Sequence, residues 1–137
     1  MVKPIVRNEE FLKQESKNAT KEDASVAQDL LDTLSANAYR CVGMAANMIG
    51  VQKNIIAVLD GNEILVMLNP VIIKTSAKYA EKMEGCLSLD GERKAKRYET
   101  VEVKYRDVEF KKQRRKFCGF AAQIVQHEID HCHGILI

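Results

Sequence analysis

Apolar residues follow two different rhythms along this chain. Between Thr20 and Arg40, in "TKEDASVAQDLLDTLSANAYR", Ala27, Leu30, Leu31, Leu34 and Ala38 recur every three or four positions and mark one face of a helix. Thr20 followed three residues later by Asp23 suits a capping box at its start. The rhythm then changes to short apolar runs, "NIIAVLD", "EILVMLN" and "VIIKT", which read as strands. The first two form a hairpin through Asp60-Gly61-Asn62. "KYAEKMEG" and "TVEVKY" alternate polar with apolar residues, as half-buried strands do. From about Arg115 to His131 the spacing is helical again, with Phe117, Phe120, Ala121, Ile124 and His131 near one stripe and Gly134 placed to end it. "KKQRRK", at 111–116, is expected as a solvated loop, with contact to ribosomal RNA phosphates as the sharper alternative. Strands lying between an early and a late helix predict an α+β fold.

Composition narrows the picture without changing it. A chain of 137 residues, 46% hydrophobic and 29% charged, suits a single globular domain spanning 1–137. A net charge of +2 gives no strong field for nucleic acid or membranes. The start, "MVKPIVRNEE", lacks an apolar secretory core, and the apolar run from Ile55 to Ile73 is broken by Asp60, Asn62, Glu63 and Pro70. Cys41, Cys86, Cys118 and Cys132 show no disulfide-scaffold spacing, so reduced thiols in a cytoplasmic protein are expected.

The chemistry concentrates in "QHEIDH". His127 and His131 are four apart and project from one helix face within reach of one metal ion. Glu128 lies about 100° around the axis, beside such an ion, where a general base for a water would be needed. Two core histidines with a surface Glu is the alternative. A third ligand must be sought elsewhere, since almost nothing follows the motif. His133 points roughly 160° away from the ligand face, and Cys132 about 100°. Cys118 lies about 13 Å back along the axis. Cys86 in "EGCLS" is the remaining candidate; one thiolate and two imidazoles leave a position open for water. A lone Cys is more often a small buried hydrophobe, and that alternative stays open here.

Three separated motifs, "GMAANMIG" (43–50), "EGCLS" (84–88) and "QHEIDH" (126–131), resemble those of the peptide deformylases. The resemblance implies antiparallel and mixed sheets packed around the C-terminal helix that carries the HExxH motif. It implies that Cys86, His127 and His131 hold one divalent ion per chain, ferrous iron in the cell, with zinc or nickel as substitutes. The reaction implied is hydrolysis of the N-formyl group from N-formylmethionyl nascent chains. Glu128 would carry the proton, and the Leu87 N–H would face the developing oxyanion. Val42, Gly43, Met48, Gly85, Phe120 and Ile124 would form the peptide site, with Val42, Phe120 and Ile124 around the methionine side chain. Glu84 and Arg97 match a pair that braces the metal loop.

Three departures accompany the match. Cys41 stands where the first motif ordinarily begins with Gly, and the chain ends at Ile137 without the C-terminal extension of many bacterial members. Met48 stands in place of the Gln whose amide donates to the oxyanion; a thioether cannot donate. Reduced turnover is therefore expected. Two alternatives remain: a weak or inactive protein that binds the metal and formylated chain ends, and an amidase for another N-acyl group.

Overall fold

Asp60 pairs directly with Glu63 across a two-residue turn in which Gly61 supplies a positive φ of 64°. That hairpin joins β2 (Ile55–Asp60) to β3 (Glu63–Thr75) and forms the centre of the computed structural model, which describes residues 1–137. β1 (Gly43–Ala45) pairs on the far side of β2. β6 (Thr100–Arg106) pairs with β3, and β7 (Lys112–Cys118) closes the five-stranded antiparallel order β1-β2-β3-β6-β7. β4 (Tyr79–Cys86) and β5 (Leu89–Tyr98) form a separate hairpin. The helices are a short α1 (Glu9–Leu12), α2 (Ala24–Ala36) and α3 (Gly119–Cys132).

The uninterrupted apolar run of β2 follows from burial on both faces. Ile56 and Val58 join Met67, Val101, Val103, Ile124 and Val125 in the core beneath α3. Ile55 and Ala57 point the other way, into a second core with Ala27, Leu30 and Leu34 of α2. Both halves of the predicted α+β architecture, antiparallel strands and a C-terminal helix carrying the motif, are present.

Four expectations need correction at the level of elements. "EILVMLN" and "VIIKT" are one strand, because the chain passes Pro70 through a bulge. Asn69 adopts a positive φ of 53° there, and its amide pairs with both backbone groups of Ala19, at 2.7 and 2.9 Å. The first helix is shorter than its pattern. Thr20 and Asp23 do form the capping box, but over a 3₁₀ turn at Lys21–Asp23, and α2 stops at Ala36, leaving Ala38 outside. "KKQRRK" is mostly the edge strand β7, not a loop. Its basic side chains face solvent, where an edge tolerates charge, while Phe117 alone turns into the core. The last helix starts at Gly119 (φ 61°) rather than near Arg115. Its end is as expected: Gly134 (φ 74°) donates to the His131 carbonyl, and a Cβ there would collide with the Lys13 carbonyl.

Candidate active site

α3 lines up Phe120, Ile124, His127, Glu128 and His131 within four turns. Its two histidines meet at their ring tips, Nε2 to Nε2 3.0 Å. Cys86 arrives from β4 at a register shift between Gly85 and Cys86, the kind of irregularity that re-aims a side chain. The Ser88 N–H donates to its Sγ at 3.5 Å, and Arg7 clamps the following loop by donating to the Leu87 carbonyl at 2.9 Å. Ligand atoms of Cys86, His127 and His131 thus lie within 4.8 Å of one another. Cys132 and Cys118 lie outside this group; Cys132 is a buried packing thiol, as the helix geometry implied.

Around the trio the polar groups form one buried network. Glu84 Oε1 accepts from His127 Nδ1 at 2.8 Å, which leaves the His127 Nε2 lone pair facing inward. Arg97 donates to Glu84 through Nε (2.9 Å) and Nη2 (2.7 Å), and through Nη1 to Asp130 at 2.8 Å. Gln123, one turn before His127, donates to Glu84 Oε2 at 2.9 Å. Burial alone would raise the pKa of Glu84, but the hydrogen bonds from His127, Arg97 and Gln123 bring it down to about 2. Burial likewise opposes charge on His127, yet its bonds to Cys86 and Glu84 raise its pKa to about 10. Burial and the neighbouring His127 cation push His131 down to about 3. With His127 Nδ1 committed to Glu84, the two Nε2 atoms and the Cys86 sulfur converge on one centre.

A divalent cation fits that centre. One sulfur and two imidazole nitrogens are the donors that iron, nickel and zinc accept. Glu128 Oε1 is buried without a hydrogen-bond partner, so its carboxylate has capacity left for a bound water or substrate. Burial raises the Glu128 pKa to about 7, in the range of a proton carrier near neutrality.

A cavity of about 400 Å³ opens onto this centre. Val42, Gly43, Gly85, Leu87, Phe120 and Ile124 line it, together with Cys86, His127 and Glu128. His131 sits behind them, 1% exposed. Gly43 is a close approach: a Cβ there would lie 2.8 Å from Ile124 Cγ2 and 2.9 Å from Glu128 Oε2. Met48 is not brought to the cavity lining. It is 1% exposed within the core beneath α2, where its Sδ accepts the Ala45 N–H at 3.5 Å. Arg40, Met83 and Gln123 also line the cavity and escaped the sequence reading, and Cys41, noted there only as a departure from the first motif, lines it as well. Only Gln123 carried a signal, as the residue one helical turn before His127. Asp130, between the histidines in sequence, was missed as the second anchor of Arg97.

Comparison with known proteins identifies the family. The sequence profile of the family described as Polypeptide deformylase matches residues 2–137. The chain is 56% identical over 137 residues to a peptide deformylase of Clostridium beijerinckii, covering 100% of both chains. A K1U-bound class I type b peptide deformylase from Acinetobacter baumannii superposes with a TM-score of 0.89 at 32% identity, covering 99% of this chain and 97% of that one. The same enzyme with Met-Ala-Ser bound gives a TM-score of 0.88 at 30% identity, covering 99% and 96%. Three motifs on one cavity, a profile matching nearly every residue and superposable structures lead to one assignment: the chain belongs to the peptide deformylase family of metal-dependent amidohydrolases.

Proposed function

We propose that this enzyme removes the N-formyl group from N-formylmethionyl chains, using one divalent ion held by Cys86, His127 and His131. The observation that carries the reading is the convergence of those three side chains, with Cys86, His127 and Glu128 lining one cavity and His131 behind them. A bound divalent ion, ferrous iron by preference and zinc or nickel as substitutes, supplies Lewis acidity toward water and the formyl carbonyl.

The rest is the work of the chain. Glu128 takes the proton of the attacking water and delivers it to the amine nitrogen as the formyl C–N bond breaks, releasing formate and a free amino terminus. The Leu87 N–H donates to the oxygen that gains charge. Val42, Phe120 and Ile124 surround the methionine side chain, and Gly43 and Gly85 leave room for the peptide backbone. β1 is the outer strand of its sheet, so a peptide can add to it as a further strand. The Met-Ala-Ser peptide held by the Acinetobacter relative supports such an occupant. Met48 leaves one oxyanion donor out, which lowers turnover.

Three further readings accompany this one. Residues 1–137 form one domain, supported by the two cores meeting across β2. The site of action is the cytoplasm, supported by four free cysteines. No helix is long and apolar enough to cross a membrane. Contact with ribosomal RNA would use β7, where Lys112 and Lys116 have no ion-pair partner while Arg114 and Arg115 are held by Glu102 and Asp60.

Formate release from formyl-Met-Ala-Ser by anaerobically prepared, iron-loaded protein tests the activity. Cobalt-substituted protein tests the roles: Cys86→Ser should abolish the thiolate-to-metal charge-transfer band, while Cys118→Ser and Cys132→Ser keep it. Glu128→Ala should keep the band and lose about 10²–10⁴ of the hydrolysis rate. Loss of metal from Glu128→Ala would make Glu128 a ligand instead of a base.

A further inference from the structure

Arg40 is the one arginine or lysine that lines the cavity, and no carboxylate pairs with it. Its guanidinium is nevertheless held in place. Nε and Nη2 donate to Asn37 Oδ1 at 3.2 and 2.9 Å, and Cζ lies 5.5 Å from the Tyr39 ring centroid. Asn37 is itself buried and anchored to the Thr33 carbonyl at 2.8 Å. An ordered guanidinium with donors left over, at the mouth of a peptide cavity, is suited to a carboxylate. Neither carboxylate of the cavity competes for it, since Glu84 is saturated by Arg97, His127 and Gln123 and Glu128 is buried deep.

The direction of the bound chain brings its third residue here. The reacting end must lie by Glu128, which abuts Gly43. Along β1 and the turn after it, Met44 through Met48 are at most 1% exposed, so a peptide on that edge cannot continue past them. It must leave toward Val42, 37% exposed, and the exposed Arg40, which makes it antiparallel to β1. With the methionine beside Gly43 and a strand advance of about 3.3 Å per residue, the third residue comes level with Cys41. The Arg40 side chain is then within reach.

We propose that Arg40 forms a carboxylate subsite, and that the enzyme prefers formylated chains with Asp or Glu at the third position. The peptide register rests on the deformylase reading above. The test uses iron-loaded enzyme and C-terminally amidated formyl-Met-Ala-Glu, formyl-Met-Ala-Ser and formyl-Met-Ala-Lys, so that no terminal carboxylate intervenes. At low salt the KM for the Glu peptide should be about 3-fold to 5-fold below that for the Lys peptide, with kcat unchanged. The gap should close in Arg40→Gln and narrow in Arg40→Lys, while Lys104→Gln, an equal change of net charge outside the cavity lining, should leave it intact. Equal KM values in the wild type, or a gap that survives Arg40→Gln, would overturn the subsite. Calorimetric binding of the unformylated amides keeps the two readings apart. Glu-over-Lys binding lost in Arg40→Gln, without formate release from any peptide, would retain the subsite and sink the deformylase assignment. Equal binding of both amides would sink the subsite.

Discussion

The cavity has two walls built on opposite principles. On the α3 and β4 side, polar groups hold one another: Glu84 ties His127, Arg97 and Gln123 together, and Arg97 continues to Asp130. Such a wall orients its ligands through several bonds at once, so each side chain has little freedom to drift. The β1 side, with the turn after it, works by packing. Gly43 sits there because Ile124 and Glu128 leave no space for a Cβ, Met48 fills core volume, and the half-buried Cys41 thiol, its pKa raised to about 11 by desolvation, donates to the Gly43 carbonyl at 2.9 Å. The two departures within the first motif, Cys41 and Met48, fall on this side and outside the polar wall. At Met48 the sulfur takes the Ala45 N–H, so the residue serves this wall through packing and one backbone bond.

Breaking the polar wall should have the largest effect on stability. Arg97→Met leaves Glu84 buried beside His127 without its strongest counter-charge, and should cost about 3–5 kcal/mol in denaturant unfolding near neutral pH. The pH dependence identifies the cause. Glu84 has its pKa lowered from 4.5 to about 2 in the fold, so the stability it contributes is fully present above pH 4.5 and lost as pH falls toward 2. The gap between wild type and Arg97→Met should therefore shrink over that window. A gap constant from pH 7 to pH 3 would assign the loss to packing alone.

The packed wall should be sensitive to shape instead. Gly43→Ala places a methyl against Ile124 and the Glu128 carboxylate, and a displacement of about 1 Å at the base can cost on the order of 10²-fold in rate. Metal content and the cobalt band should be unchanged, because the ligands hang from the other wall. A variant that loses metal as well would show the two walls to be mechanically coupled.

The smallest effect is a gain. Met48→Gln preserves length and volume, its amide oxygen can take over the Ala45 N–H, and its amide N–H₂ restores a donor. Since that donor acts mainly in the transition state, kcat for formyl-Met-Ala-Ser should rise about 10-fold with little change in KM. Unchanged turnover in a variant that still binds metal and peptide would mean that this wall has been rebuilt for another N-acyl substrate, or for binding alone.

Much of this was legible along the chain, for a common reason. The histidine pair and Glu128 lie within five consecutive residues of one helix, where the 3.6-residue repeat settles which side chains share a face. The β2–β3 hairpin and the capping box at Thr20 are equally local, set by turn chemistry and by side-chain bonds three residues apart. Cys86 could be nominated by excluding its rivals and by the motif around it. What brings it within 4.8 Å of the histidines is a bulge between Gly85 and Cys86 that no pattern of apolar residues announces. β7 escaped for a different reason. An edge strand needs to bury only one side chain, here Phe117, so its sequence is free to look like a basic loop. The position of Met48 in the core, the cation at Arg40 and the Arg97 bridge from Glu84 to Asp130 depend on residues far apart in sequence that meet only when the sheet, the hairpin and α3 pack together. Contacts of that kind carry no period along the chain, so the sequence determined the chemistry of this protein, and its tertiary packing decided how that chemistry is held.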